Sequence, residues 1–158
     1  MIKIAGKQIS CPRYSKSYLR PYVFSGLVHE ADMNLPERVK QLLDYCRLQT
    51  PKLNQSLINW YEYDGSIGKH SDDTRQLVPD SEIFSLSFGP GSRDFIIEPK
   101  NKDASWPSFL IELEHNTMVI MGGKCQQTHL HSVPKKNCSL ASANEERRLN
   151  VTFRCFKK

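Results

Sequence analysis

The segment Arg148-Leu-Asn150-Val-Thr152-Phe-Arg154 alternates between polar and apolar residues over its whole length. Successive side chains of a β-strand point to opposite faces, so a strand here shows Arg148, Asn150, Thr152 and Arg154 on one side. Leu149, Val151 and Phe153 fall on the other. A solvated edge strand would account for two of the basic residues, but four polar groups behind a continuous apolar row imply a sheet with one dry face and one polar pocket. Arginine presents a rigid fork of donors that matches a carboxylate, so Arg148 and Arg154 on one strand face suit a dicarboxylic acid lying along the strand.

Other segments fit the same kind of sheet. Beyond Pro51, short β-type runs near 56–63, 82–88, 93–98, 108–113, 117–121, 126–133 and 148–156 are separated by turn formers such as Asp64-Gly65, Gly89-Pro90-Gly91 and Gly122-Gly123. Phe84, Leu86 and Phe88 alternate with Ser85 and Ser87, which makes the small polar face a second candidate cavity wall. Leu35, Val39, Leu42, Leu43 and Cys46 recur at three-to-four spacing, so a helix is predicted over 35–48, with Asn34 as cap and Pro36 in the first turn. Residues 1–30 carry Pro12, Pro21 and the aromatics Tyr14, Tyr18, Tyr22 and Phe24 without helical period, and read as an edge or lid. With no repeat and no linker, residues 1–158 read as a single domain: lid 1–30, helix 35–48 and β core 56–158, a sandwich or barrel.

Composition narrows the setting. Apolar residues make up 39% and charged residues 25%, the balance of a soluble globular domain. A net charge of +5 makes a polyanionic partner plausible without requiring one. Five scattered cysteines with no CxxC fit a reducing intracellular compartment, nucleus or cytoplasm, better than a disulfide framework. No signal peptide opens the chain and no apolar run approaches the ~18 residues of a membrane span, so neither export nor membrane insertion is expected.

Two short motifs bear on metal chemistry. His70 and Asp72 stand two residues apart, and on a strand both would face the same way. A third ligand is at hand in Thr128-His129-Leu-His131-Ser-Val-Pro134, from either histidine. Two histidines and a carboxylate form the facial triad of non-haem Fe(II) oxygenases, which leaves coordination positions open. A structural zinc site built from Cys125, His129, His131 and Cys138 is the competing use of these residues, with a spacing that matches no common finger.

Taken in order, Asn59-Trp-Tyr61, His70-Ser-Asp72-Asp73, His131-Ser-Val-Pro134 and Arg148-Leu-Asn150-Val-Thr152-Phe-Arg154 make the chain resemble the AlkB family of Fe(II)- and 2-oxoglutarate-dependent dioxygenases, especially its animal-type DNA-repair branch. The likeness runs from about Ser10 to Lys157. It implies a double-stranded β-helix, jelly-roll-like, with a nucleotide-recognition lid. By the same resemblance His70, Asp72 and His131 ligate iron, which makes His131 rather than His129 the third ligand. Asn59, Tyr61, Arg148 and Arg154 then bind 2-oxoglutarate, with Asn150 and Thr152 supporting that pocket. In the lid, Phe24 corresponds to the residue that stacks on a flipped-out base, with Tyr22 and Arg13 beside it and Asp73 helping to read the base.

The implied activity is oxidative demethylation of 1-methyladenine and 3-methylcytosine in DNA or RNA by a monomer using Fe(II), 2-oxoglutarate and O2, releasing formaldehyde and succinate. Two departures from the family pattern bear on substrate. Thr74 stands where relatives carry an acid, and Ala5 stands where the duplex-acting branch carries a bulky wedge. Without a wedge to fill the gap left by an extruded base, single strands or disrupted duplexes are the expected substrates. The alternative is a 2-oxoglutarate-dependent hydroxylase of a protein or another modified base. Arg20, Lys100, Lys102, Lys135, Lys136, Lys157 and Lys158 are candidate phosphate contacts.

Overall fold

The alternating segment forms strand β14, Arg148–Arg154, in the interior of a six-stranded sheet. The structure, a computed structural model, describes residues 2–4, 7–9, 13–24, 26–62, 65–101, 105–135 and 147–158, with residues 2–4 and 7–9 described through their backbone alone. Expectations that rest on Ala5, Ser10, Pro12, Asp64, Lys102, Lys136 and Cys138 lie outside the described residues.

In the six-stranded sheet, β14 is flanked by β7 (Gln55–Tyr61) and β9 (Ile83–Phe88), antiparallel to both. Beyond β9 lies β12 (Thr117–Met121); beyond β7 lie β3 (Arg13–Tyr18) and β6 (Ala31–Asp32). A four-stranded antiparallel sheet runs in the order β11 (Phe109–Leu113), β10 (Arg93–Pro99), β13 (His129–Val133), β8 (Ile67–His70). Two hairpins stand apart from these sheets: β1 (Ile2–Ile4) with β2 (Lys7–Ile9), and β4 (Tyr22–Phe24) with β5 (Leu27–His29).

The two larger sheets share one apolar core. Leu57, Ile83, Val119 and Met121 of the six-stranded sheet cluster with Phe95, Ile97, Leu113 and Val133 of the four-stranded one. A second core lies behind β14, where Val39, Leu43 and Cys46 of helix α1 (Glu37–Arg47) cover Phe84, Leu86, Val151 and Phe153. The odd-numbered residues of β14 thus pack under α1 while its even-numbered residues face the other way. The fold is mostly β, two facing sheets that are antiparallel apart from the short parallel pairing of β3 with β6, consistent with a jelly-roll core. Among the described residues no helix is long and apolar enough to cross a membrane.

Several local expectations need correction. Residues 13–18 are a strand between β7 and β6, not a loose edge segment; the small inward Ser15 and Ser17 opposite Tyr14 and Lys16 hid the alternation. Helix α1 is capped by Pro36 rather than Asn34, whose N–H donates to Asp32 Oδ1 instead. The strand expected over 126–133 begins only at His129, because Cys125–Thr128 form a single helical turn, α2, after the positive-φ Gly123.

Candidate active site

Pairing across β14 builds one wall of a cavity. Arg148 stands opposite Tyr61, Asn150 opposite Asn59 and Arg154 opposite Gln55, while Asn150 and Thr152 face Ser87 and Ser85 on the other side. Arg148, Asn150, Thr152, Arg154, Asn59, Tyr61 and Ser85 all line the cavity, so both polar faces inferred from alternation point into the same space. Asn150 and Thr152 are internal struts: Asn150 Nδ2 donates to Ser85 Oγ and to the Leu86 carbonyl, and Thr152 Oγ1 donates to Asn150 Oδ1 at 2.9 Å. Asn59 Oδ1 accepts from Ser15 Oγ at 2.6 Å, which orients the Asn59 amide.

The two arginines are not equivalent. Arg148 is 3% exposed, lies over the Tyr61 ring at 4.4 Å and makes a long bond from NH1 to Ser87 Oγ, while its buried Nε has no partner among the described residues. Burial lowers its pKa, with a further contribution from the Arg93 charge, as expected for a cation held away from water. Arg154 is committed within the protein: Nε donates to Asp72 Oδ2 at 2.7 Å, NH1 reaches Gln55 Oε1, and the guanidinium sits over the Tyr22 ring. Burial works against its charge, but Asp72 and Tyr22 outweigh that and raise its pKa.

At the mouth of this wall three ligand-type side chains converge. His70 ends β8 and pairs directly with His131 on β13. Asp72 lies past the end of β8, so the turn after the strand, rather than the strand's period of two, brings it beside His70. Asp72 Oδ1 is 3.9 Å from His70 Nε2 and 3.8 Å from His131 Nε2, and the three groups lie within 4.8 Å of one another.

His70 Nδ1 lies 2.8 Å from the Gly68 carbonyl, a contact that assigns the proton to Nδ1 and leaves the Nε2 lone pair facing Asp72 and His131. Burial lowers both histidines, His131 to about 4 with a further contribution from His70, so both rings are neutral near pH 7. Asp72 stays ionised: burial opposes this, but Arg154 and the histidines outweigh it. Two neutral imidazoles, one carboxylate and, lining the same cavity, a buried guanidinium whose Nε has no partner among the described residues fit a divalent metal together with a carboxylate-bearing ligand.

The lid residues divide. Phe24 meets His70 edge to face at 6.5 Å and carries the Arg13 guanidinium 4.9 Å from its ring centroid, and all three line the cavity. Tyr22 is a buried wall residue, stacked on Phe156 at 6.4 Å and lying beneath Arg154, with its hydroxyl pKa pushed up to about 12 by burial and by Asp72. Asp73 does not line the cavity; its carboxylate accepts from Arg75 Nε at 3.0 and 2.9 Å. His129 is outside the His–Asp–His group found among the described residues and stacks on Trp106 at 5.7 Å, Cys125 is a free thiol, and Cys138 of the alternative zinc set lies outside the described residues.

Sequence reading missed the partners that hold this site. Gln55, Ser15, Phe156 and Gln126 contact site residues from distant parts of the chain, and no local pattern marks them. Gln55 alone could have been found, as the cross-strand partner of Arg154 once β7 and β14 were paired.

Comparison with known proteins agrees with this geometry. Residues 12–154 match the 2OG-Fe(II) oxygenase superfamily. The chain is 34% identical to mouse DNA oxidative demethylase ALKBH2, covering 97% of this chain and 65% of that protein, and 34% identical to its human counterpart, of which 60% is covered. Similarity extends to rat alpha-ketoglutarate-dependent dioxygenase alkB homolog 3, at 38% identity over 64% of this chain and 35% of that protein. The chain therefore spans less than two thirds of the length of these relatives.

Proposed function

The chain belongs to the 2OG-Fe(II) oxygenase superfamily and, within it, to the AlkB family, and on that footing we propose that it is an oxidative demethylase of N-alkylated bases in DNA or RNA. The observation that carries this reading is the His70–Asp72–His131 group sharing one cavity with Arg148, whose buried Nε has no partner among the described residues. His70 and His131 offer Nε2, and Asp72 offers Oδ1, to Fe(II). Arg148 takes a carboxylate of 2-oxoglutarate against the Tyr61 ring, and the Asn59 amide adds a polar contact beside it.

Arg154 occupies Asp72 Oδ2 and so keeps Oδ1 turned toward the histidines. Bound Fe(II) and 2-oxoglutarate supply the power to hydroxylate an N-linked methyl group with O2, with succinate and carbon dioxide as co-products and formaldehyde released from the base.

The protein's own part is to orient and to exclude water. Tyr22, Phe95 and Val133 contribute apolar surface to the cavity, and burial of Asp72, Arg148 and Arg154 strengthens the charge contacts they make there. Phe24, at the mouth beside His70, offers a ring face for a flipped base once its edge-on packing rotates. The expected substrates are 1-methyladenine and 3-methylcytosine, with single strands preferred to intact duplex.

A substrate panel tests this reading. Methylated single-stranded and duplex oligonucleotides are incubated with protein, Fe(II) and 2-oxoglutarate, alongside methylated peptides. Demethylation of single strands well above duplex supports the proposal. Turnover confined to peptides, or equal activity on intact duplex, refutes its substrate assignment or its strand preference respectively.

A further inference from the structure

Asp72 lies past the end of β8, where no ladder bond holds its backbone. Its N–H donates instead to Oε1 of Gln126, at 2.8 Å, across 54 residues of sequence. Gln126 is 7% exposed, and its Nε2 rests against Met121 Sδ at 3.6 Å, so the amide is held by packing as well as by its bond to Asp72.

The turn that carries Gln126 is itself braced. Lys100 at the end of β10 donates from Nζ to the Gln126 carbonyl at 2.8 Å and from its backbone N–H to the Thr128 carbonyl at 2.8 Å. Helix α2 then runs directly into β13, which carries His131. One side chain therefore ties the Asp72 loop to the segment that delivers the third member of the group.

We propose that Gln126 is a positioning residue for the metal site: its amide oxygen fixes the Asp72 backbone so that Oδ1 stands opposite both histidine Nε2 atoms while Oδ2 stays on Arg154. Asp72 is thus held at two points, its N–H by Gln126 and its carboxylate by Arg154. Outer partners of this kind typically alter metal affinity by ~10–100-fold. The inference rests on the reading of Asp72 as a metal ligand.

The test titrates Co(II) into the unsubstituted protein, Gln126→Met and Gln126→Glu, following the d–d absorption bands and the thermal midpoint of each metal-free protein. Gln126→Met keeps length and apolar bulk but lacks the acceptor; Gln126→Glu keeps an acceptor oxygen. The expected result is ~10-fold or greater weakening with altered bands for Gln126→Met, and near-normal binding for Gln126→Glu. Equal affinity in Gln126→Met, or equal losses in both variants that follow their thermal midpoints, overturns the positioning role.

Failure of the unsubstituted protein to bind Co(II) overturns the metal reading itself, and the positioning role with it. Should the variants not fold, hydrogen exchange of the Asp72 amide in the unsubstituted protein decides. Strong protection is expected from the bond to Gln126, and exchange at the rate of an open amide overturns it.

Discussion

At the scale of single residues, His131 carries the clearest pH signature. Burial and His70 hold it at about 4 in the folded chain, against about 6.5 when exposed. Between those values the unfolded chain takes up a proton that the folded chain does not, so stability rises with pH across this window. The metal-free protein should keep its full stability above about pH 6.5 and lose on the order of 3 kcal/mol as the pH falls to 4. Urea unfolding at a series of pH values checks this, and a flat profile between pH 7 and 4.5 contradicts it.

His131→Ala should abolish metal binding and turnover, whereas His129→Ala, which removes the stack on Trp106 and the Nδ1 contact with Thr128 Oγ1, should leave substantial activity; the reverse outcome would reassign the third ligand. Arg148→Lys exchanges a two-pronged donor for a point charge. It should raise the KM for 2-oxoglutarate by roughly 10- to 100-fold, the equivalent of one charge-assisted bond, with little change in thermal midpoint. An unchanged KM would remove Arg148 from the cosubstrate site.

At the scale of elements, β14 was legible because alternation is a local property: the residues that face α1 and those that face the cavity can be told apart from seven letters. β3 was not, since Ser15 and Ser17 face inward and are small and polar enough to pass for loop. Helix α2 was missed because a single turn is too short to show a period.

The turn between β9 and β10 shows how an element boundary reaches the site. Gly89 has φ +134, and a Cβ there would lie 2.3 Å from the Arg147 carbonyl oxygen and 3.1 Å from Arg148 Cα. Gly89→Ala should therefore cost more than about 1 kcal/mol and displace the start of β14, weakening 2-oxoglutarate binding as well as stability. Unfolding and cosubstrate titration of the same variant test both effects; an unperturbed KM would show that β14 adjusts without moving Arg148. Phe153 sits under α1 with no exposure, and Phe153→Ala should cost ~3–5 kcal/mol by denaturant unfolding, where a loss under 1 kcal/mol would argue against that packing.

At the scale of the whole molecule, motifs scattered over the chain come together only through the pairing of strands. His70 and His131 are 61 positions apart in sequence and directly paired across β8 and β13, and Asp72 joins them through a turn that no strand rule foresees. Residue types suggested two histidines with a carboxylate and a pair of arginines, because metal and carboxylate chemistry restrict which side chains can serve, while the choice of His131 over His129 and the nomination of Asn59 and Tyr61 came from the family resemblance. Neither source could supply the supports of these residues: Gln126, Gln55 and Phe156 are ordinary residues whose importance comes only from where the sheets place them. Nor could either show that Asp73 turns to Arg75 and away from the cavity.

The most direct test of the demethylase reading is mass spectrometry of single-stranded oligonucleotides carrying 1-methyladenine or 3-methylcytosine after incubation with protein, Fe(II), 2-oxoglutarate and O2, with His131→Ala as control. Loss of one methyl group, dependent on 2-oxoglutarate and absent from His131→Ala, is the expected result. Succinate formation with every methyl group intact would contradict nucleic-acid demethylation while leaving the oxygenase site in place.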